Sequence, residues 1–135
     1  MKIKLDEWAQ MPTRSHEWDG GLDLYSPRSV WLRPCGQEFI DTGVHMSIPP
    51  GCVGLVKSRS GMMKKGVTTD GTIDSGYTGS IGVMLFNHSR GDVYIQQGDR
   101  IAQVVILPCV IPMLEEVDQL EDTERGDGGF GSTGR

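Results

Sequence analysis

The chain has 135 residues, with 13 Lys and Arg against 18 Asp and Glu, a net charge of −5, 37% hydrophobic residues and 19 glycines. That is the length of one domain and a globular composition. The acidic balance argues against direct nucleic-acid binding, which needs a basic face, and the longest apolar run, Ile101 to Val110, is broken by Gln103 and Pro108, too short for the roughly 20 residues of a membrane span.

The N-terminal stretch, Met1 to Glu7, has no apolar core of signal-peptide type, which predicts a cytoplasmic protein. Lys2 to Leu5 alternates polar and apolar, as an edge strand does. Gly20 to Pro27, GLDLYSP after a first glycine, sets Asp23 between two leucines near the end of an expected strand. Read alone, such an Asp is an edge or turn residue. Val44 to Ile48 and Cys52 to Val56 are further strand segments. Lys57 to Gly66 follows, and its Ser60 to Lys65 predicts one short helical turn with Ser60 as its N-cap. Arg59, Ser60 and the free amides beyond them bring together a guanidinium, a hydroxyl and backbone donors, the parts of a phosphate cradle. No P-loop or dinucleotide fingerprint is present.

Asp70 to Gly79 has glycines at 71, 76 and 79, which predict a sharp hairpin with Asp74 and Tyr77 framing its tip. Ile81 to Phe86, Val93 to Ile95 and Ile101 to Leu107 are apolar or β-branched runs, separated by the turn signals Arg90-Gly91-Asp92 and Gln97-Gly98-Asp99. Many short strands at even spacing predict an all-β sandwich or barrel. Glu115 to Leu120 predicts a second helical turn. Beyond it Arg125 to Arg135 holds five glycines around one aromatic, Phe130. Such a tail cannot bury itself, yet an aromatic among glycines suits a clamp over a flat ligand. Cys35, Cys52 and Cys109 are odd in number and widely spaced, as reduced packing thiols are.

In this order the segments GLDLYSP, SRSG, GTIDSGYTG, GDRIAQ and RGDGGFGSTG resemble the five motifs of the trimeric dUTPase family, from residue 20 to the end. The resemblance implies an all-β, jelly-roll-like subunit, with residues 1–119 as the β-domain and 120–135 as a glycine-rich lid belonging to it. It implies a homotrimer with shared active sites. One chain would supply Asp23, Arg59–Gly61 and Gln103, a second Asp74 and Tyr77, and a third its tail. The reaction implied is Mg²⁺-dependent hydrolysis of dUTP to dUMP and pyrophosphate, which limits uracil in DNA and supplies dUMP for thymidylate synthesis.

Residue by residue, Asp74 resembles the catalytic carboxylate that orients and deprotonates the attacking water. Tyr77 would pack under the deoxyribose and exclude a 2′-hydroxyl. Backbone groups around Thr68, Thr72 and Ile73 would read uracil. Arg59, Ser60, Gly61 and Gln103 would hold the phosphates, and Asp23 would hold Mg²⁺ through water. Phe130 would stack on the base while Arg125, Gly131, Ser132 and Thr133 close on the γ-phosphate. Two departures from the family pattern stand out. Ser58 precedes Arg59 where Pro is frequent, and Thr68-Thr69-Asp70 stands where an Asn or Gly often helps read the base.

The nearest rival, dCTP deaminase, adds a glutamate in the strand after the hairpin, and Ile81 to Phe86 has no carboxylate. A nucleotide-sensing protein without catalysis would account for loss of Asp74, Tyr77 or the lid, and all are present. A regulatory protein partner in addition to catalysis remains compatible with the sequence.

Overall fold

The computed structural model describes residues 1–129. Among them, eleven strands and one short helix follow in the order β1 (Ile3–Leu5), β2 (Gly21–Tyr25), β3 (Val30–Leu32), β4 (Gln37–Asp41), β5 (Val44–Met46), β6 (Cys52–Lys57), α1 (Ser60–Lys64), β7 (Val67–Thr68), β8 (Asp70–Asp74), β9 (Gly82–Asn87), β10 (Val93–Ile95) and β11 (Arg100–Pro108). The all-β expectation holds. The strands form a four-stranded sheet β2-β11-β6-β8, a three-stranded sheet β4-β9-β7, and the pairs β1-β5 and β10-β3. Every ladder is antiparallel.

The run Ile101 to Leu107, rich in Val and Ile, becomes one of the two inner strands of the largest sheet, pairing on both edges and burying one face in the core. Ile101, Ala102 and Val104 of β11 are buried against Leu22 and Leu24 of β2, Val56 of β6, and Ile40, Val83 and Leu85 of the second sheet. Each fully buried branched side chain is worth about 1.5–3 kcal/mol, so the core between the two sheets fixes their mutual position. Asn87, buried at the end of β9, donates from its amide to the carbonyls of Leu32, Arg33 and Gly91, at 2.9–3.1 Å. It thereby ties the β10-β3 pair to the three-stranded sheet.

β11 carries a bulge between Arg100 and Ala102. Ile101 and Ala102 both point into the core, and beyond the extra residue Arg100 pairs with Tyr25. Tyr25 lies two residues from Asp23 and so shares its face. The bulge therefore returns Arg100 to the face that carries Asp23 and Gln103.

Four expectations need correction. Asp23 sits at the middle of β2, not near its end. Ser60 is the first residue of α1 and Arg59 occupies the N-cap, with extended backbone and no side-chain cap bond. Glu115 to Leu120 forms no helical turn; its apolar and acidic side chains are all exposed, so no packed face supports a helix. Asp70 to Gly79 is not a hairpin between neighbouring strands. β8 pairs with β6, while β9 pairs with β4 and β7, so the segment after Asp74 passes from one sheet to the other. It opens with a turn in which the Tyr77 amide donates to the Asp74 carbonyl at 3.0 Å. All three cysteines are free, as expected.

Candidate active site

Three ladders in register place Asp23, Gln103, Lys57 and Asp70 side by side across the four strands. Cross-strand partners share a face, so the sequence-distant motifs meet along one row of the sheet. At its buried end the Asp23 side chain is only 8% exposed. Both of its oxygens take charged partners: Arg59 donates through Nε to Oδ1 at 2.7 Å, and Arg100 through Nη1 to Oδ2 at 3.2 Å. A carboxylate this deep is stable only when paired and hydrogen-bonded. The triad carries one surplus positive charge at the floor of a cleft whose rim adds the Asp19 carboxylate.

That cleft, about 290 Å³, is lined by Ser15, Asp19, Gly20, Gly21, Asp23, Arg59, Ser60 and Gln103. Asp23, Arg59, Ser60 and Gln103, all singled out from the sequence, are thus brought together. Gly61 lies beside them on a neighbouring depression with Arg59 and Arg100. Gln103 is placed by its amide, which donates to the Ser58 carbonyl at 3.3 Å, and by Gly21, where a Cβ would collide with that amide. Gly21 is therefore glycine because the Gln103 side chain passes over its backbone.

The segment before β2 closes one wall. The Asp23 amide donates to the Thr13 carbonyl at 2.8 Å, the Thr13 and Tyr25 hydroxyls meet at 2.6 Å, and Arg100 also donates to Ser15 Oγ at 2.9 Å. At the rim the His16 amide donates to Asp19 Oδ2 at 2.9 Å, which holds the Asp19 carboxyl below its ordinary range, with the His16 ring adding to the effect. Ser15, Asp19 and Arg100 escape the sequence reading. Arg100 stands within GDRIAQ, but only the bulge aims it at Asp23. The wall residues show no spacing that marks them.

Thr72, Ile73, Asp74 and Tyr77 are not at this cleft. Asp74 lies at the far end of β8, three strands from β2 and four residues along from Asp70. At ~4.8 Å per strand and ~3.3 Å per residue, that sets Asp74 on the order of 20 Å from Asp23. The Asp74 and Tyr77 side chains are exposed. The Tyr77 ring folds over Gly79, where a Cβ would collide with it, and its hydroxyl donates to the Ser80 carbonyl at 2.9 Å. Thr68 is half-buried on β7, its hydroxyl 2.7 Å from His88 Nε2. Arg125 is exposed and donates to the Gly128 carbonyl at 2.9 Å. Phe130, Gly131, Ser132 and Thr133 lie outside the described residues.

The residues singled out from the sequence thus fall in two places on one chain: a polar cleft that gathers Arg59, Ser60 and Gln103 around the buried Asp23, and a distant exposed carboxylate, Asp74, with Tyr77 beside it. Residues 7–134 match the family model described as dUTPase. The chain belongs to the dUTPase family. It is 44% identical to the deoxyuridine 5′-triphosphate nucleotidohydrolase of Crocosphaera subtropica, over 98% of this chain and 96% of that one. It is 41% identical to the human mitochondrial enzyme of the same name, over 98% of this chain and 53% of that one. Among solved structures, a Staphylococcus bacteriophage 80alpha dUTPase bound to dUpNHpp superposes with a TM-score of 0.91 at 35% identity, covering 99% of this chain and 98% of that one. A dUTPase from phage phi11, described with a structural Mg(II) ion, superposes at 0.81 and 33% identity over 90% of this chain. Among the described residues no helix is long and apolar enough to cross a membrane.

Proposed function

We propose that this chain is a cytoplasmic dUTP diphosphatase, hydrolysing dUTP to dUMP and pyrophosphate in active sites shared among the three chains of a homotrimer. The single observation that carries the shared site is the separation of its halves: the phosphate cleft around Asp23 and the carboxylate Asp74 lie on one sheet but far apart. A second chain's Asp74 beside this chain's cleft unites them. An apolar arm supports assembly, since after β11 Met113 is 97% and Leu114 95% exposed, more than a lone soluble chain leaves in one stretch.

In the proposed site the cleft binds the triphosphate through Arg59, the Ser60 hydroxyl, the Gly61 amide and Gln103. The donor set also fits Mg²⁺. Asp23 already has a guanidinium on each oxygen, so its remaining lone pairs suit a water of the hydrated ion better than direct ligation. When bound, Mg²⁺ neutralises phosphate charge and so eases departure of the diphosphate. Asp74 accepts a proton from the water that attacks the α-phosphorus and orients it in line. Tyr77 closes the space a ribose 2′-hydroxyl would need, and backbone groups at Thr68, Thr72 and Ile73 pair with the uracil edge. Cytosine would leave those groups unpaired, a larger penalty than any apolar mismatch. The lid, residues 120–135, completes the enclosure with Arg125, Phe130, Gly131, Ser132 and Thr133, excluding bulk water.

The test is pyrophosphate release from dUTP, dCTP, dTTP and UTP with Mg²⁺. Release from dUTP alone, lowered roughly 10²–10⁴-fold by Asp74→Asn, supports the reading. Unselective release, or an unaffected variant, contradicts it. A second reading follows from the phage 80alpha structures, described as dUTPases that control transfer of virulence genes: a regulatory protein partner in addition to catalysis. A pull-down with and without dUTP checks it.

A further inference from the structure

Thr69 sits between β7 and β8, where the chain leaves the three-stranded sheet and joins the four-stranded one. Thr68 pairs with Phe86 and Asp70 with Lys57. No strand ladder among the described residues serves Thr69, although it is only 5% exposed. Its backbone is satisfied by one side chain. The Ser58 hydroxyl accepts from the Thr69 amide at 2.8 Å and donates to the Thr69 carbonyl at 2.9 Å. A hydroxyl can do both at once, and a proline at that position can do neither. The next residue is held too, by the Lys57–Asp70 ion pair. Ser58 also offers its own carbonyl to the Gln103 amide, and it adjoins Arg59. The two departures from the family pattern, at Ser58 and at Thr69-Asp70, are therefore two ends of one contact.

We propose that Ser58 is a positioning residue: its hydroxyl stands in for a missing strand partner and fixes the base-reading segment Thr68–Ile73, which serves a neighbouring chain's cleft, against the end of β6, which leads into this chain's own phosphate cradle. This rests on the assignment of those two segments to base and phosphate recognition. Without the hydroxyl, two buried backbone groups lose their partner, and the crossover must shift or admit water to recover them. The disturbance falls on the backbone that reads the base. Asp74 is four pairs further along the β6–β8 ladder, opposite Val53, and stays where it is. Ser58 therefore acts on substrate binding and base choice, not on the chemical step.

The experiment compares Ser58→Ala and Ser58→Thr with the wild type. The expected result for Ser58→Ala is a KM for dUTP raised roughly three- to tenfold with kcat within about twofold, the signature of lost uniform binding. Its preference for dUTP over dCTP falls by a similar factor. Ser58→Thr, which keeps the hydroxyl, restores both. Unchanged KM and base preference in Ser58→Ala, or a fall in kcat alone, overturns the proposal. Amide hydrogen exchange of the free protein reads the link independently of activity: Thr69 should exchange faster in Ser58→Ala, and an unchanged rate overturns the link. If the wild type failed to hydrolyse dUTP, the assigned function would fall, while the exchange measurement would still decide whether Ser58 holds the crossover.

Discussion

At the scale of the residue, the decisive group is Asp23, buried between Arg59 and Arg100. GLDLYSP marked it as a candidate only through the family resemblance, and its environment was not legible. Arg100 reaches it through a bulge that no residue type announces, and Ser15 joins through Arg100. Asp23→Asn should cost about 1–3 kcal/mol of stability, less than the ~3–5 kcal/mol of a fully buried pair because Arg100 is half-exposed; urea unfolding at fixed protein concentration measures it. A midpoint equal to wild type would mean the triad is not a structural unit. Gly21→Ala separates site from fold differently. The Cβ would clash with the amide end of the flexible Gln103 side chain and make only ordinary contact with its Cβ, so the thermal midpoint should stay near wild type while pyrophosphate release from dUTP drops roughly tenfold through displacement of Gln103. A variant that keeps full activity would show that the Gln103 amide does not work from its observed position.

At the scale of the element, sequence patterns located most of the strand-forming segments. Val93 to Ile95 was recovered to the residue, and the long β11 to within one residue at each end, because β-branched runs bounded by glycine turns leave little choice. What the patterns missed is pairing. The glycines of Asp70 to Gly79 read as a hairpin, yet the segment joins two sheets, since a short strand's partner is set by long-range packing. The acidic 115–120 stretch read as helical because its composition tolerates a turn, but nothing packs against it. The Lys57–Asp70 pair belongs to this scale. The Lys57 ammonium, hydrogen-bonded to Asp70, holds that carboxyl below its usual 3.8. A depressed carboxylate pKa stabilises the fold above pH 3.8 and loses that contribution as pH falls through the depressed value. Asp70→Asn should therefore melt slightly below wild type at neutral pH, with the two curves converging in strong acid. A difference independent of pH would assign its cause to packing.

At the scale of the whole molecule, the all-β architecture was legible from turn spacing and β-branched composition, and the order of five motifs identified the family. The separation of Asp23 from Asp74 was not legible in the residue patterns, because it depends on which strand lies beside which; only the family resemblance implied it, by assigning them to different chains. With β8 at one edge of the sheet and β2 at the other, a single chain cannot bring Asp74 to the cleft without dismantling the sheet. The proposed sharing between copies would unite the two while keeping the fold intact. It would also give the exposed apolar arm around Met113 and Leu114 a neighbour to cover it.

The most direct test mixes two disabled chains. Arg59→Ala lacks the cradle and keeps Asp74; Asp74→Asn lacks the carboxylate and keeps the cradle. Each alone should release almost no pyrophosphate from dUTP. Co-refolded at a 1:1 ratio, they should regain activity at about a quarter of the wild-type sites, by random assortment around a threefold axis. A mixture no more active than its components would place Arg59 and Asp74 in the same chain's site, or in none, and would contradict the shared active site.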